Sequence, residues 1–168
     1  MEYNRMDIKK AKQGDATAFA NLYRQVYEDL YRFALYTLKN KADAEDVVSE
    51  TVVDAFATIK KLRKEESFKS WIFRILYNKC KDKLREYTKK TVELPEEYAE
   101  QAGAEKVEEG AVMRALFYKL SEEERLIISM HLFAGYTSKE IGTLLHMNEN
   151  TVRSKESRAL KKLGEMAR

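Results

Sequence analysis

Cysteine, proline and histidine are almost missing from this 168-residue chain, which has one Cys, one Pro and only two His. A single thiol, Cys80, cannot close an intramolecular disulfide, and the isolated His131 and His146 offer no zinc-ligand spacing, so neither a disulfide framework nor a metal centre is expected. A reducing cytoplasm is the natural home for such a chain. No apolar run approaches the ~18 residues of a membrane span, and the stretch from Met1 to Arg5 lacks a hydrophobic signal core, which disfavours membrane spanning and export. Six glycines form no phosphate-gripping loop, and no Cys/His or Ser/His set has a credible partner. An enzyme is therefore disfavoured, and no cofactor is expected.

What remains is rich in Leu, Ala, Glu, Lys and Arg, a mix that favours helix over strand. Hydrophobic residues make up 44% of the chain and charged residues 35%, enough for a buried core under a heavily charged surface. The fold class expected is all-α, as two small helical domains joined by an acidic linker. A net charge of +3 is too small to argue for nucleic acid by itself, so the distribution of charge has to carry that argument.

Residues 1–90 form the first block. Phe19, Leu22, Tyr23, Val26, Leu30, Phe33 and Leu38 recur at helical spacing. The pattern breaks at Asn40-Lys41, and Asp43 is a candidate cap for a helix running through Val47, Val48, Val52, Phe56 and Ile59. Another helix begins near Ser67. Residues 91–110 read as the linker: between Thr91 and Val112 the periodicity lapses, Pro95 appears, and seven glutamates face only Lys106. Residues 111–168 form the second block, where Ser121 and Thr137 each stand three residues before a glutamate in a capping-box pattern.

In that second block Thr137 to Leu145 predicts a short helix, His146-Met147 a turn, and Asn148 the cap of a longer helix towards Met166. This is helix-turn-helix spacing. On a helical wheel Val152, Ala159 and Leu163 share one face of the longer helix, while Asn150, Arg153, Ser154, Ser157, Arg158 and Lys161 gather on the other. A recognition helix needs that division, with an apolar stripe to seat it and Arg, Lys and small polar groups for groove edges and phosphates. A solvated face on an ordinary bundle helix is the alternative, and the short helix and tight turn before it favour DNA. Glu156 falls near the apolar stripe, where a carboxylate is costly unless paired, and it is expected to reach towards Lys155 or Arg153.

The first block sorts its charge by segment. Asp43, Asp46, Glu50 and Asp54 line one side of a single helix. A metal site would draw on a Glu-x-x-His motif that this block lacks, which leaves a solvated face or docking onto a basic protein surface. From Ala57 to Lys90 twelve Lys and Arg stand against four acids. This cationic stretch is read as a phosphate-facing surface. Trp71 lies off its main apolar stripe, where it can either stack on an unpaired base or pack against a neighbouring helix.

Taken in order, these blocks resemble the extracytoplasmic-function group of bacterial RNA polymerase sigma factors over nearly the whole chain. Gly14-Asp15, Ala18-Phe19, Leu22-Tyr23 and Leu30-Tyr31-Arg32 look like the opening of that family's second region, and Asp43-Ala44-Glu45-Asp46-Val47-Val48 with Glu50-Thr51 looks like its polymerase-docking helix. Ser67-Phe68-Lys69-Ser70-Trp71-Ile72-Phe73-Arg74-Ile75, with Asn78, Asp82, Leu84 and Arg85, is similar to its promoter-melting helix. Glu140-Ile141, Leu144-Leu145, Thr151 to Lys155 and Arg158-Ala159 resemble the helix-turn-helix of its fourth region.

The resemblance implies roles. Asp43, Asp46, Glu50 and Asp54 would dock on the β′ clamp helices of core RNA polymerase. Lys60, Lys61, Arg63, Lys64, Lys69, Trp71, Arg74, Asn78, Lys81 and Arg85 would hold the melted minus-ten element of promoter DNA. Asn150, Thr151, Arg153, Ser154, Lys155, Ser157 and Arg158 would read the minus-thirty-five element as duplex, and the same domain would touch the β flap. The linker would thread towards the polymerase active-site and RNA-exit channel, and an anti-sigma factor is an expected partner. The chain departs from the family pattern at Ser49, Val52, Glu156 and His146, the last of which stands where glycine is common in the turn and would have to accept a strained or left-handed conformation. Two rivals remain: a helix-turn-helix regulator that binds its site without polymerase, and a charged helical scaffold with no salt-sensitive DNA binding.

Overall fold

A computed structural model describes residues 3–90 and 110–168, and all the regular structure among them is helical. The acidic segment expected to enter the polymerase channel lies outside the described residues. The first half carries α1 (Arg5–Lys12), α2 (Ala16–Leu38), α3 (Lys41–Thr58) and α4 (Phe68–Lys89), with short 3-10 turns at Ile59–Lys61 and Glu65–Ser67 between α3 and α4. The second half carries α5 (Ala111–Tyr118), α6 (Glu122–Leu132), α7 (Ser138–Leu145) and α8 (Glu149–Met166).

Local chemistry sets the boundaries. Apolar spacing alone does not separate α1 from α2. The break comes at Gly14, whose φ of +93° suits glycine, after which Asp15 caps α2 by accepting from the Ala18 N–H at 3.1 Å. The cap of α3 is Asn40 and not Asp43: the Asn40 amide oxygen accepts from the Asp43 N–H at 2.9 Å, which places Asp43 inside the first turn. Both expected capping boxes form, at Ser121 with Glu124 and at Thr137 with Glu140.

The first core is built on α2. Leu22, Val26, Leu30 and Phe33 are fully buried, and α1, α3 and α4 all pack against this helix. From α4 come Phe68, Ile72, Phe73, Leu76 and Cys80, all without exposed surface. Each large apolar side chain removed from water contributes about 1.5–3 kcal/mol before entropy is counted, so this cluster dominates the stability of the block. Burial also pushes the Cys80 thiol up to about 12, which removes it as a nucleophile.

The two halves touch directly. Tyr36, near the end of α2, stacks on Phe117 of α5 (centroids 4.9 Å apart) and on Phe133 at the end of α6 (5.3 Å). Arg125 of α6 is 6% exposed and donates through Nε to the Tyr36 carbonyl at 3.1 Å and through Nη1 to the Leu120 carbonyl at 2.8 Å. The Tyr136 hydroxyl donates to the Ser70 carbonyl on α4 at 2.6 Å. Ile127, Met130, Tyr136, Ile141 and Val152 therefore belong to the same buried cluster as the core of the first half.

In the helix-turn-helix, α7 ends at His146, which takes the left-handed conformation at φ 57° and ψ 44°, and Asn148 caps α8 by accepting from the Asn150 N–H at 2.8 Å. The turn folds back tightly onto Gly142, where an added Cβ would lie 2.6 Å from the Met147 carbonyl oxygen. Gly142→Ala is expected to cost about 1–3 kcal/mol by forcing that backbone apart, read as a lower urea midpoint at unchanged slope. An unchanged midpoint would contradict the close approach.

Candidate nucleic-acid and polymerase interfaces

The outward face of α8 follows from how the helix is seated. Val152 and Ala159 are fully buried against the remainder of the second half, which turns Asn150, Thr151, Arg153, Ser154, Ser157 and Arg158 outward. Arg153 is held by Glu149 one turn earlier at 2.5 Å, and Arg158 Nε reaches the Ser154 carbonyl at 3.3 Å. Lys155, placed among the groove residues by sequence, turns instead towards α6 and pairs with Glu123. Glu156 corrects a second expectation. Its carboxylate faces neither Lys155 nor Arg153 but His131 of α6, with Nε2 and Oε1 3.7 Å apart. No local pattern signals this pairing, because His131 and Glu156 meet only once α6 and α8 pack.

The minus-ten set divides into three groups. Lys60, Lys61, Arg63 and Lys64 stand exposed on the loop between α3 and α4, whose inward residues Ile59 and Leu62 are buried and whose Leu62 carbonyl is held by Lys12 Nζ at 2.7 Å. A cationic loop is thus pinned from below. Arg74, Asn78 and Arg85 are exposed along α4, Arg85 lying 3.7 Å from Asp82. The third group is committed inward: Lys69 pairs with Asp29 of α2 at 3.3 Å, Lys81 lies over the Tyr77 ring at 5.8 Å, and Trp71 is half-buried and tilted against Phe68 at 6.1 Å.

The acidic stripe of α3 is tied to α4 by a ladder that helical spacing alone does not reveal. Lys79 sits 2.6 Å from Asp54 and 3.9 Å from Glu50, Lys83 sits 3.8 Å from Asp43, and the Tyr87 hydroxyl donates to the Asp43 carboxylate. Burial, together with the Asp43 bond, drives the Tyr87 phenol far above its usual value. Two cations of the basic segment therefore neutralise acids of α3. Asp46, Glu50 and Asp54 remain exposed, with Val53 (68% exposed) and Phe56 (38%) beside them, so the outward side of α3 combines acid with apolar surface. Phe56, expected to face inward, touches the core only at its edge, 5.2 Å from Phe19. Among the described residues no cluster of His, Cys, Asp and Glu could hold a metal ion, and no helix is long and apolar enough to cross a membrane.

Ion pairs from α6 hold α8 in place. Lys162 of α8 lies 2.6 Å from Glu124, which also serves the Ser121 capping box. The Lys162 bond, aided by Ser121, holds the Glu124 carboxyl below its usual 4.5. A depressed carboxyl stabilises the fold above its unfolded value and loses that contribution as pH falls through the folded one. Glu124→Gln keeps an acceptor for the box but removes the charge, so about 0.5 kcal/mol should disappear at pH 7 and the loss of stability below pH ~4.5 should become shallower. Urea titrations at pH 3 and pH 7 check this, and an equal acid response in both proteins would refute it.

Comparison with known proteins agrees with this geometry. The Sigma-70 region 2 family matches residues 22–90 and the Sigma-70 region 4 family matches residues 116–165. RNA polymerase sigma factor SigV of Bacillus subtilis is 29% identical over 90% of this chain and 92% of its own length, and the ECF RNA polymerase sigma factor SigM of Mycobacterium tuberculosis is 27% identical over 91% and 79%. The fold is similar to CnrH, solved with the cytosolic domain of CnrY (TM-score 0.68, 22% identity, 99% of this chain and 97% of that one), and to the sigma factor RpoE of Bartonella quintana, solved with the anti-sigma factor NepR (TM-score 0.67, 20% identity, 89% and 96%). With both regions present in order and relatives aligned along nine-tenths of its length, the chain belongs to the extracytoplasmic-function sigma factors, which direct RNA polymerase to promoters.

Proposed function

We propose that this sigma factor docks on the β′ clamp helices of core polymerase through the outward side of α3, holds melted minus-ten DNA with the loop at 60–67 and the exposed flank of α4, and reads minus-thirty-five duplex with the free face of α8. The observation that carries this reading is the seating of α8: Val152 and Ala159 inward, Arg153, Ser154, Ser157 and Arg158 outward. Guanidinium groups on such a face match guanine edges and phosphates in a major groove. Lys60, Lys61, Arg63 and Lys64 supply the sequence-independent attraction to a single strand. The chain acts as a specificity subunit in the cytoplasm and contributes no chemistry of its own. An anti-sigma factor is a further partner, a reading supported by the complexes in which the neighbouring folds were solved.

Two measurements test this. Arg153→Ala and Arg158→Ala are each expected to weaken minus-thirty-five recognition by about 1–3 kcal/mol, on a promoter mapped by transcript starts from genomic templates with purified core. Unchanged transcription in both variants refutes the recognition face. Asp46→Lys, which reverses an exposed charge while leaving Asp43, Glu50 and Asp54 on their lysines, is expected to weaken capture of core polymerase about tenfold or more. Undiminished capture refutes docking through α3.

A further inference from the structure

The helix α1 lies against the cationic loop between α3 and α4 and belongs to none of the three surfaces assigned above. It packs on the 3-10 turn at Ile59–Lys61, and Lys12 in its last turn donates from Nζ to the Leu62 carbonyl at 2.7 Å. At about 100° per residue, Arg5, Lys9 and Lys12 fall within an arc of about 60° on α1, while Asp7, the helix's one acid, lies on the opposite side. Because Lys12 reaches the loop, this arc is the flank of α1 that borders Lys60, Lys61, Arg63 and Lys64.

We propose that Arg5 and Lys9 extend the cationic loop into one continuous phosphate track, which holds the backbone of promoter DNA flanking the minus-ten element. The proposal rests on the assignment of that loop to minus-ten DNA. Charge selects the ligand: Arg5, Lys9 and Lys12 from α1 join Lys60, Lys61, Arg63 and Lys64 from the loop, and the acids Glu65 and Glu66 stand at the α4 end, away in sequence from the turn that α1 touches. A surface of this sign attracts phosphates and releases their counterions.

Two features set this arc apart from an ordinary solvated face. Lysines in the last turn of a helix suit its dipole, which accounts for Lys9, Lys10 and Lys12, but Arg5 stands at the first residue of α1, where the dipole disfavours a cation. Arg5 and Lys9 are also one turn apart, a spacing at which like charges destabilise a helix. Both are exposed, and among the described residues neither has an ion-pair partner to offset that repulsion. The arrangement gains the fold nothing and suits a polyanion. From Arg5 to Lys12 the helix rises about 10 Å, which matches roughly three nucleotides at 3.4 Å per nucleotide of one strand.

The test measures promoter affinity of holoenzyme, assembled from the full-length chain and core polymerase, across a salt series. Arg5→Gln/Lys9→Gln removes two phosphate contacts and leaves Lys12 on its carbonyl, so the slope of log affinity against log salt should become shallower by about 1.4–1.8. Between about 50 and 200 mM salt, wild type should therefore lose about tenfold more affinity than this variant. The charge-keeping swap Arg5→Lys/Lys9→Arg should restore the wild-type slope, and Lys10→Gln, on another side of α1, should leave it unchanged. An unaltered slope in the double variant, or a drop per charge as large for Lys10→Gln, would overturn the track. Capture of core polymerase without DNA should be equal for all of these proteins; weaker capture by the double variant would assign Arg5 and Lys9 to the polymerase and equally overturn it. Lys60→Gln/Lys61→Gln separates the two readings. If that loop variant also keeps the wild-type slope, the minus-ten assignment of the loop fails, whereas a shallower slope there beside an unaltered Arg5→Gln/Lys9→Gln variant refutes the track alone.

Discussion

Everything in the molecule is referred to the buried stripe of α2. Its 23 residues carry an uninterrupted line from Ala18 through Leu22, Val26, Leu30 and Phe33 to Leu38, and α1, α3, α4, α5 and α6 all pack on it. A helix that is buried along one side fixes the rotation of whatever packs on it, since ridges must enter grooves. Because α3 and α4 are both set against α2, their outer faces are determined as well. The acidic and the cationic surfaces are therefore products of one packing constraint.

The ladder between α3 and α4 shows what that constraint does to charge. A stripe of four carboxylates on one helix would repel itself. Packing brings Lys79 and Lys83 across from α4, so Asp43, Glu50 and Asp54 gain cations and the stripe can exist without a bound partner. The outward surface of α3 is then mixed, with acid at Asp46 and exposed apolar groups at Val53 and Phe56. Such a surface steers a basic partner by charge and holds it by burial, which a fully hydrated acidic face does poorly.

Most of the helix pattern was legible in the sequence, because apolar periodicity and short polar caps are local. The two capping boxes follow from neighbours three residues apart, and the inward Val152 and Ala159 follow from helical spacing along one helix. What was not legible is long-range, or turns on which of two nearby polar residues wins a cap. Asp43 reads as a cap until Asn40 is seen to fill that position three residues earlier. Lys155 is a groove residue by family resemblance, yet Glu123, thirty-two positions away, draws it to α6. Glu156 looks stranded until His131 is brought beside it. The stacking of Tyr36 on Phe117 and Phe133 has no local signature, because aromatic residues at helical spacing look the same whether they face their own domain or another.

That last ambiguity bears on how such a chain can be both folded and usable. Tyr36, Phe117 and Phe133 must be buried somewhere, and each half is small enough that its own core leaves apolar surface over. Covering that surface by closing one half on the other protects it from non-specific association while the chain is free. The joint that covers them is not perfectly packed: it holds a buried guanidinium, an unpaired hydroxyl and an unfilled crevice. The imperfections where α2, α4 and α6 meet are tolerated because the apolar burial around Tyr36 outweighs them.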